Sequence, residues 1–319
     1  MTPESGEAGV VAAVVTHKRP FELARLMESL ARAGSGLLGV VVSDHAPGGE
    51  TTAIAARAGF PVRVLENPDN PGPGAGWARA AREALAWHGD RARAVWYLDD
   101  DVVIPEGGLD TLCAEARREG FWAVAPLLED AAGRLWAFPE PEERRLRRVI
   151  RSVGSAADAI GVLGSDPLRF VWCTGACFLV SAAAIGRAGF HREDFWMLGE
   201  DLEYSMRLAA AGPSGFTCKV RVPHLPGAAA DDARARTGGL VKFCALLQNL
   251  GYLSFHCPQS RHMKRYLAGN YRRFFRTYGF GPFERSLAWA CFAGGVLAGE
   301  PAGLASGARV RARIKAHEG

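Results

Sequence analysis

Val10–Val15 is an unbroken apolar run, the pattern of a strand buried on both faces. Pro20 then opens a stretch in which Leu23, Leu26, Met27 and Leu30 recur at helical spacing, with proline well placed at the first helical position. Leu38–Ser43 predicts a second buried strand, stopped by the turn-rich Asp44-His45-Ala46-Pro47-Gly48-Gly49. A short helix over Thr51–Ala58 and a strand over Val62–Leu65 follow. Asn67–Gly76, with three prolines and three glycines, reads as a loop. Trp77–Trp87 reads as a helix and Ala94–Leu98 as the next strand. This alternation implies a mostly parallel α/β sheet flanked by helices, whose ligand crevice lies at the carboxyl ends of the strands.

Beyond about residue 128 the pattern loosens. Glu140–Arg151 is a charged patch, expected as a solvated helix or an excursion. Regular structure returns with the apolar run Phe170–Val180, a helix over Glu200–Ala211 and a strand over Phe216–Val222. After about residue 226 the character changes, and Arg261–Tyr278 interleaves basic and aromatic residues. These suit an amphipathic helix with its charges in water, or a positive rim facing an anionic ligand or membrane surface. The expected organisation is a tail over 1–8, an α/β domain over 9–226 and a helical extension over 227–319.

Composition adds exclusions. A chain of 319 residues, 48% hydrophobic and 23% charged, is neither disordered, collagen-like nor a small disulfide scaffold. The net charge of +4 gives no argument for nucleic acid. Seven cysteines without a C-x-x-C pair supply no zinc ribbon or thioredoxin motif. Met1–Ala8 lacks the basic start of a signal peptide, and Leu287–Gly299 is shorter than the roughly 20 residues that span a bilayer. The expectation is a cytoplasmic protein with no transmembrane segment.

Three places could carry chemistry. Asp99-Asp100-Asp101 leaves a hydrophobic strand, and adjacent carboxylates repel unless a cation or donors neutralise them. If the chain stays extended, Asp99 and Asp101 share a side, and such hard oxygen ligands suit Mg²⁺ or Mn²⁺ holding a diphosphate. An acidic turn would look the same. Glu200 and Asp201 begin a helix, where they serve either as favourable dipole partners or as an oriented general base. His224 follows a strand and becomes a further ligand for the same cation only if it joins Asp101. The loop Asn70–Gly76 has G-x-G-x-G spacing, not the dinucleotide fingerprint, but its glycines would let backbone N–H groups approach a phosphate or sugar.

Thr16-His17-Lys18-Arg19-Pro20 after the first strand, Ser43-Asp44, Asn70–Gly76, Leu98-Asp99-Asp100-Asp101, Thr174-Gly175-Ala176, Gly199-Glu200-Asp201 and Pro223-His224 follow in order. Together they resemble the family 2 glycosyltransferases of the GT-A fold, especially the rhamnosyl- and galactofuranosyltransferase-like branch, over about residues 9–226. The resemblance implies that Thr16, His17 and Arg19 line the nucleotide pocket and Asp44 contacts the base. Asp99 would face the ribose or metal, with Asp100 and Gly76 also on the donor side. Asp101 would be the principal metal ligand and His224 another. Asp201 would be the base, with Glu200 beside it, and Trp172, Thr174 and Gly175 would border donor sugar and acceptor. Prolines and Trp77 replace residues usual in the family's glycine loop, which bears on donor-sugar specificity.

The implied reaction is inverting, metal-dependent transfer from a nucleotide-diphosphate sugar, UDP or dTDP favoured, to a hydroxyl of a cell-envelope glycan, a lipid-linked intermediate or a small natural product, and the absence of membrane segments leans toward the small soluble acceptor. No nucleic acid partner is implied; peripheral membrane contact and self-association are compatible with it. The rivals are a sugar-1-phosphate nucleotidyltransferase, which would show a glycine-rich, Arg-containing loop after the first strand, and a non-catalytic nucleotide-sugar-binding protein.

Overall fold

The computed structural model of the chain describes residues 9–137, 139–143, 145–146, 153–225, 233–257, 264 and 281–318. Part of the charged patch 140–151, and all of the basic-aromatic segment 261–278 except Lys264, lie outside them. The chain divides into two compact units. The first comprises Met1–Asn70, Gly76–His191 and Tyr204–Gly227; the second comprises Pro71–Ala75, Arg192–Glu203 and Ala228–Gly319.

In chain order the elements are β1 (Val10–Thr16), α1 (Pro20–Leu30), β2 (Leu37–Asp44), α2 (Glu50–Ala55), β3 (Val62–Glu66), α3 (Pro73–His88), β4 (Ala94–Asp99), α4 (Gly108–Glu119) and β5 (Ala123–Glu129). Then come β6 (Leu135–Ala137), β7 (Glu140–Pro141), α5 (Ala156–Leu163), β8 (Leu168–Trp172), β9 (Cys177–Ser181), α6 (Ala182–Ala188), α7 (Glu200–Ala211) and β10 (Ser214–Pro223). The chain continues through α8 (Ala233–His256), α9 (Pro282–Ala298) and α10 (Leu304–Glu318).

The first unit is built on one sheet in the order β3-β2-β1-β4-β9-β5-β10-β8-β7, with β6 on β5. Strands β3, β2, β1 and β4 are parallel, and β10 is parallel to β5; β9 runs opposed between β4 and β5. The unbroken apolar runs have a direct cause. Val10, Ala12 and Val14 join one buried cluster with Leu23, Leu26 and Leu109 from α1 and α4, while Val11 and Ala13 join another with Trp77, Ala80, Ile185 and Leu208 from α3, α6 and α7. Burying each such Val or Leu contributes on the order of 2 kcal/mol, so the strand ends are carried on a stiff frame.

Register aligns those ends: Thr16 pairs with Asp44, and Val15 with Asp99. Two expectations change. The loop predicted over Asn67–Gly76 stops at Pro73, which opens α3, because proline's fixed φ suits a first helical turn. The apolar run Phe170–Val180 is broken into β8 and β9 at Cys173–Ala176. The second unit consists of α8, α9 and α10 with segments 71–75 and 192–203.

Candidate metal centre and associated residues

The three consecutive aspartates are separated by what they touch. Asp99 ends β4 and the chain then turns, yet Asp99 and Asp101 keep ligand atoms within 4.8 Å of each other, as expected, while Asp100 engages Thr16 and Arg19. Asp100 is buried; it accepts from the Thr16 hydroxyl at 2.7 Å and from Arg19 at 3.1 Å. Asp101, also buried, accepts from the same Arg19 nitrogen at 2.6 Å through Oδ2. Burial pushes the Asp100 carboxyl up to about 6, against the pull of Thr16 and Arg19. Burial also opposes ionisation of Asp101, but His224 and Arg19 more than offset it and hold that carboxyl below its ordinary value. Burial resists the charge on Arg19 as well, yet the two aspartates raise its pKa.

His224 reaches this cluster because β10 runs beside β5. Its backbone N–H donates to Glu129 O at 2.7 Å, and Leu225 N–H donates to Asp101 O at 2.8 Å. One ligand atom from each of Asp99, Asp101 and His224 lies within 4.8 Å of the others. His224 Nε2 is 3.1 Å from Asp101 Oδ1, an ion pair when the imidazole is protonated, and this buried oxygen makes no hydrogen bond among the described residues. Two carboxylates and an imidazole around an orphaned carboxylate oxygen fit Mg²⁺ or Mn²⁺. A divalent ion would take the role that a missing donor leaves open.

The other anticipated residues lie at the ends of strands or in the turns that follow them. Asp44 is buried and accepts from Ala46 N–H at 2.9 Å, closing the turn after β2. His17 is exposed, its Nδ1 3.1 Å from His45 O. Trp172 ends β8, and the turn carrying Thr174 and Gly175 is anchored where Cys173 exchanges hydrogen bonds with the Ser205 hydroxyl at 3.0 and 3.1 Å. The glycines of segment 72–76 face protein. A Cβ on Gly76 would come within 2.5 Å of His45 Nε2, and one on Gly72 within 1.8 Å of Trp196 O.

Glu200 and Asp201 begin α7 within the second unit. Asp201 Oδ1 accepts from Leu202 N–H at 2.8 Å. The preceding turn is unusual: Leu198 has φ 59° and Gly199 φ 102°. Leu198 is not glycine, so it pays for this left-handed conformation, by of order 1–3 kcal/mol. Fully buried Asn249 on α8 holds the turn, donating to Met197 O and Leu198 O while accepting from Ala302 N–H at 2.6 Å.

Three contributors carry no clear signal in the sequence. His45, within a segment read only as a turn, is buried between Ser43 Oγ at 3.0 Å and Asn70 Oδ1 at 3.2 Å, and burial lowers its pKa. Trp136 stacks on His224, with ring centroids 3.8 Å apart and planes 27° apart. Asn249 lies in an apolar helix with no local signal.

Residues 12–161 match the model of the family described as Glycosyl transferase family 2. These residues, just under half of the chain, form a family 2 glycosyltransferase domain. The matched span contains the aspartate cluster and Arg19; His224 and the α7 carboxylates lie beyond it. This glycosyltransferase is 25% identical over 224 residues to an N-acetylglucosaminyl-diphospho-decaprenol L-rhamnosyltransferase of Mycobacterium tuberculosis, covering 62% of this chain and 69% of that protein. Its fold is similar to that of Staphylococcus aureus TarS 1-349 in complex with UDP (TM-score 0.59, 15% identity, 90% of this chain and 81% of TarS 1-349). It is also similar to GalNAc-T7 with UDP, GalNAc and Mn²⁺ (TM-score 0.57, 14% identity, 88% of this chain), although the match spans only 56% of GalNAc-T7. These neighbours establish the GT-A type of fold. Among the described residues no helix is long and apolar enough to cross a membrane.

Proposed function

We propose that this glycosyltransferase moves a sugar from a nucleotide-diphosphate donor, UDP- or dTDP-linked, to a hydroxyl of a lipid-linked or other glycan acceptor, with inversion at the anomeric carbon. The observation that carries the proposal is the Asp99–Asp101–His224 cluster at the strand ends, with its orphaned Asp101 oxygen. The name of the mycobacterial relative supports the rhamnosyltransferase-like branch and favours the lipid-linked class of acceptor over a small soluble molecule.

Asp99, Asp101 and His224 would hold the cation, and Arg19 keeps two neighbouring carboxylates compatible in one buried place. A bound Mg²⁺ or Mn²⁺ supplies positive charge that offsets the charge gathering on the departing diphosphate. Asp201 accepts the proton of the acceptor hydroxyl, whose oxygen attacks the anomeric carbon as the bond to the diphosphate breaks. Thr16, His17 and Asp44 contact the nucleotide, and Trp172, Thr174 and Gly175 border the sugars.

The test is a panel of UDP-, dTDP- and GDP-sugars with Mn²⁺, read by thermal shift and by release of nucleotide diphosphate with and without a polyprenyl-diphosphate-linked glycan. Ligand binding to the folded state raises its melting temperature. Full turnover in excess EDTA would remove the metal from the reaction, and failure of every donor to shift the melt would remove the donor class.

A further inference from the structure

We infer that Trp136 is a positioning residue: by stacking on His224 it fixes the imidazole plane and so prepares Nε2 as a cation ligand. The inference rests on the metal reading proposed above and assigns a partner to that ligand. A metal-binding histidine is ordinarily oriented by a hydrogen bond from its second ring nitrogen to a carboxylate or carbonyl. Here His224 Nδ1 is buried and has no hydrogen-bond partner among the described residues. The backbone of His224 is pinned on Glu129 O, but this leaves the side-chain torsions free. Asp101 Oδ1 lies 3.1 Å from Nε2 and fixes one point of the ring, while its plane is set by the indole, 3.8 Å away and tilted by only 27°.

The placement follows from the fold. β6 turns back on β5, pairing Leu135 with Glu129 and Ala137 with Leu128, so Trp136 lies on the short hairpin strand beside the residue that holds His224. Trp136 is 44% exposed, although it is a large apolar side chain. Little core packing depends on it, so its removal should alter the ring it covers more than the fold.

The experiment is a double-mutant cycle read by Mn²⁺ binding, counting free Mn²⁺ by electron paramagnetic resonance on the full chain. Trp136→Leu keeps apolar bulk without a ring plane, and Trp136→Phe keeps a ring. Trp136→Leu is expected to weaken Mn²⁺ binding by about 10-fold or more, within the range typical of partners that orient metal ligands. Trp136→Phe should retain most of the affinity, and melting in EDTA should be alike for all three proteins. In a His224→Ala background, Trp136→Leu should have no further effect, because it acts through the imidazole.

Wild-type affinity in Trp136→Leu, or an equal loss in both backgrounds, overturns the inference. If Trp136→Leu melts early, Trp136→Met provides the same comparison with a flexible apolar chain. Absence of Mn²⁺ binding by the wild type defeats the metal reading itself and takes the inference with it. Binding that depends on Asp101 and His224 but ignores Trp136 defeats the inference alone.

Discussion

Carboxylates occur at element boundaries in both units, and the two boundaries are built in opposite ways. In the first unit, Asp99–Asp101 leave a strand whose neighbours are locked in register, and their environment is electrostatic: Arg19, the Thr16 hydroxyl and His224. In the second, Glu200 and Asp201 leave a turn with two consecutive left-handed residues, held by the amide of Asn249. Parallel pairing already places the strand ends, and the one left-handed residue beside the cluster, Lys18 with φ 57°, sits in the turn that brings in Arg19. The turn stores strain and needs a dedicated clamp. A cation site demands convergent charges, whereas a proton acceptor needs orientation, and each boundary has the construction its proposed task requires.

The comparison is broken most directly by removing one carboxylate from each side. Asp201→Asn should lower kcat by about 10³- to 10⁴-fold, the scale of a lost general base, while Mn²⁺ and nucleotide binding stay near wild type. Release of nucleotide diphosphate under saturating substrates measures it; retained turnover would return Glu200 and Asp201 to the role of helix-end charges. Asp101→Asn should instead weaken Mn²⁺ binding by more than about 100-fold, beyond what an outer partner of a metal ligand costs. Excess EDTA should reproduce its loss of activity in the wild type but add nothing to the variant. If both substitutions change metal affinity alike, the division of tasks between the two boundaries is wrong.

The clamp gives a smaller, mixed effect. Asn249→Ala leaves the carbonyls of Met197 and Leu198 and the N–H of Ala302 without their buried side-chain partner. Unmet buried groups cost about 1–3 kcal/mol each, partly relieved by local relaxation, so a net loss near 2 kcal/mol is expected in denaturant unfolding. Because the released turn launches α7, kcat should fall with it, while Mn²⁺ affinity should hold. A stability loss with kcat unchanged would make Asn249 a structural residue only.

The same contrast explains what could be read from the chain. Three aspartates after a buried strand are visible because both the run and the cluster are local, and the parallel pattern assigns them to a carboxyl end. Thr16 and Arg19 were legible as neighbours in a pocket but not as partners of Asp100 and Asp101, since that pairing depends on the β1–β4 register. Asn249 and Trp136 gave no signal at all: one acts on residues some fifty positions away and the other through a three-residue strand. The G-x-G-x-G spacing of segment 72–76 predicts room for a phosphate, but the protein's own atoms crowd Gly72 and Gly76. Composition reports a glycine's freedom; only packing reports what occupies the space.

The strand frame itself offers the finest test, through a histidine that serves no proposed chemistry. His191 is buried among Trp77, Tyr97, Phe178 and Tyr204, and neither ring nitrogen has a hydrogen-bond partner among the described residues. Burial, with a smaller contribution from Arg207, drives its pKa well below the usual histidine value. Near neutral pH the ring is uncharged in both folded and unfolded chains. As pH falls through the unfolded value of about 6.5, only the unfolded chain takes up the proton, so stability falls with it. At pH 5.5 that linkage amounts to at most about 1.4 kcal/mol from this one residue. His191→Phe should therefore flatten the acid limb of the stability profile by up to that amount, leaving the cation cluster untouched. Urea unfolding of both proteins at pH 7.5 and 5.5 isolates the difference. An equal loss in both would show that His191 is protonated inside the fold, and that the face of the sheet opposite α1 and α4 is less dry than its packing implies.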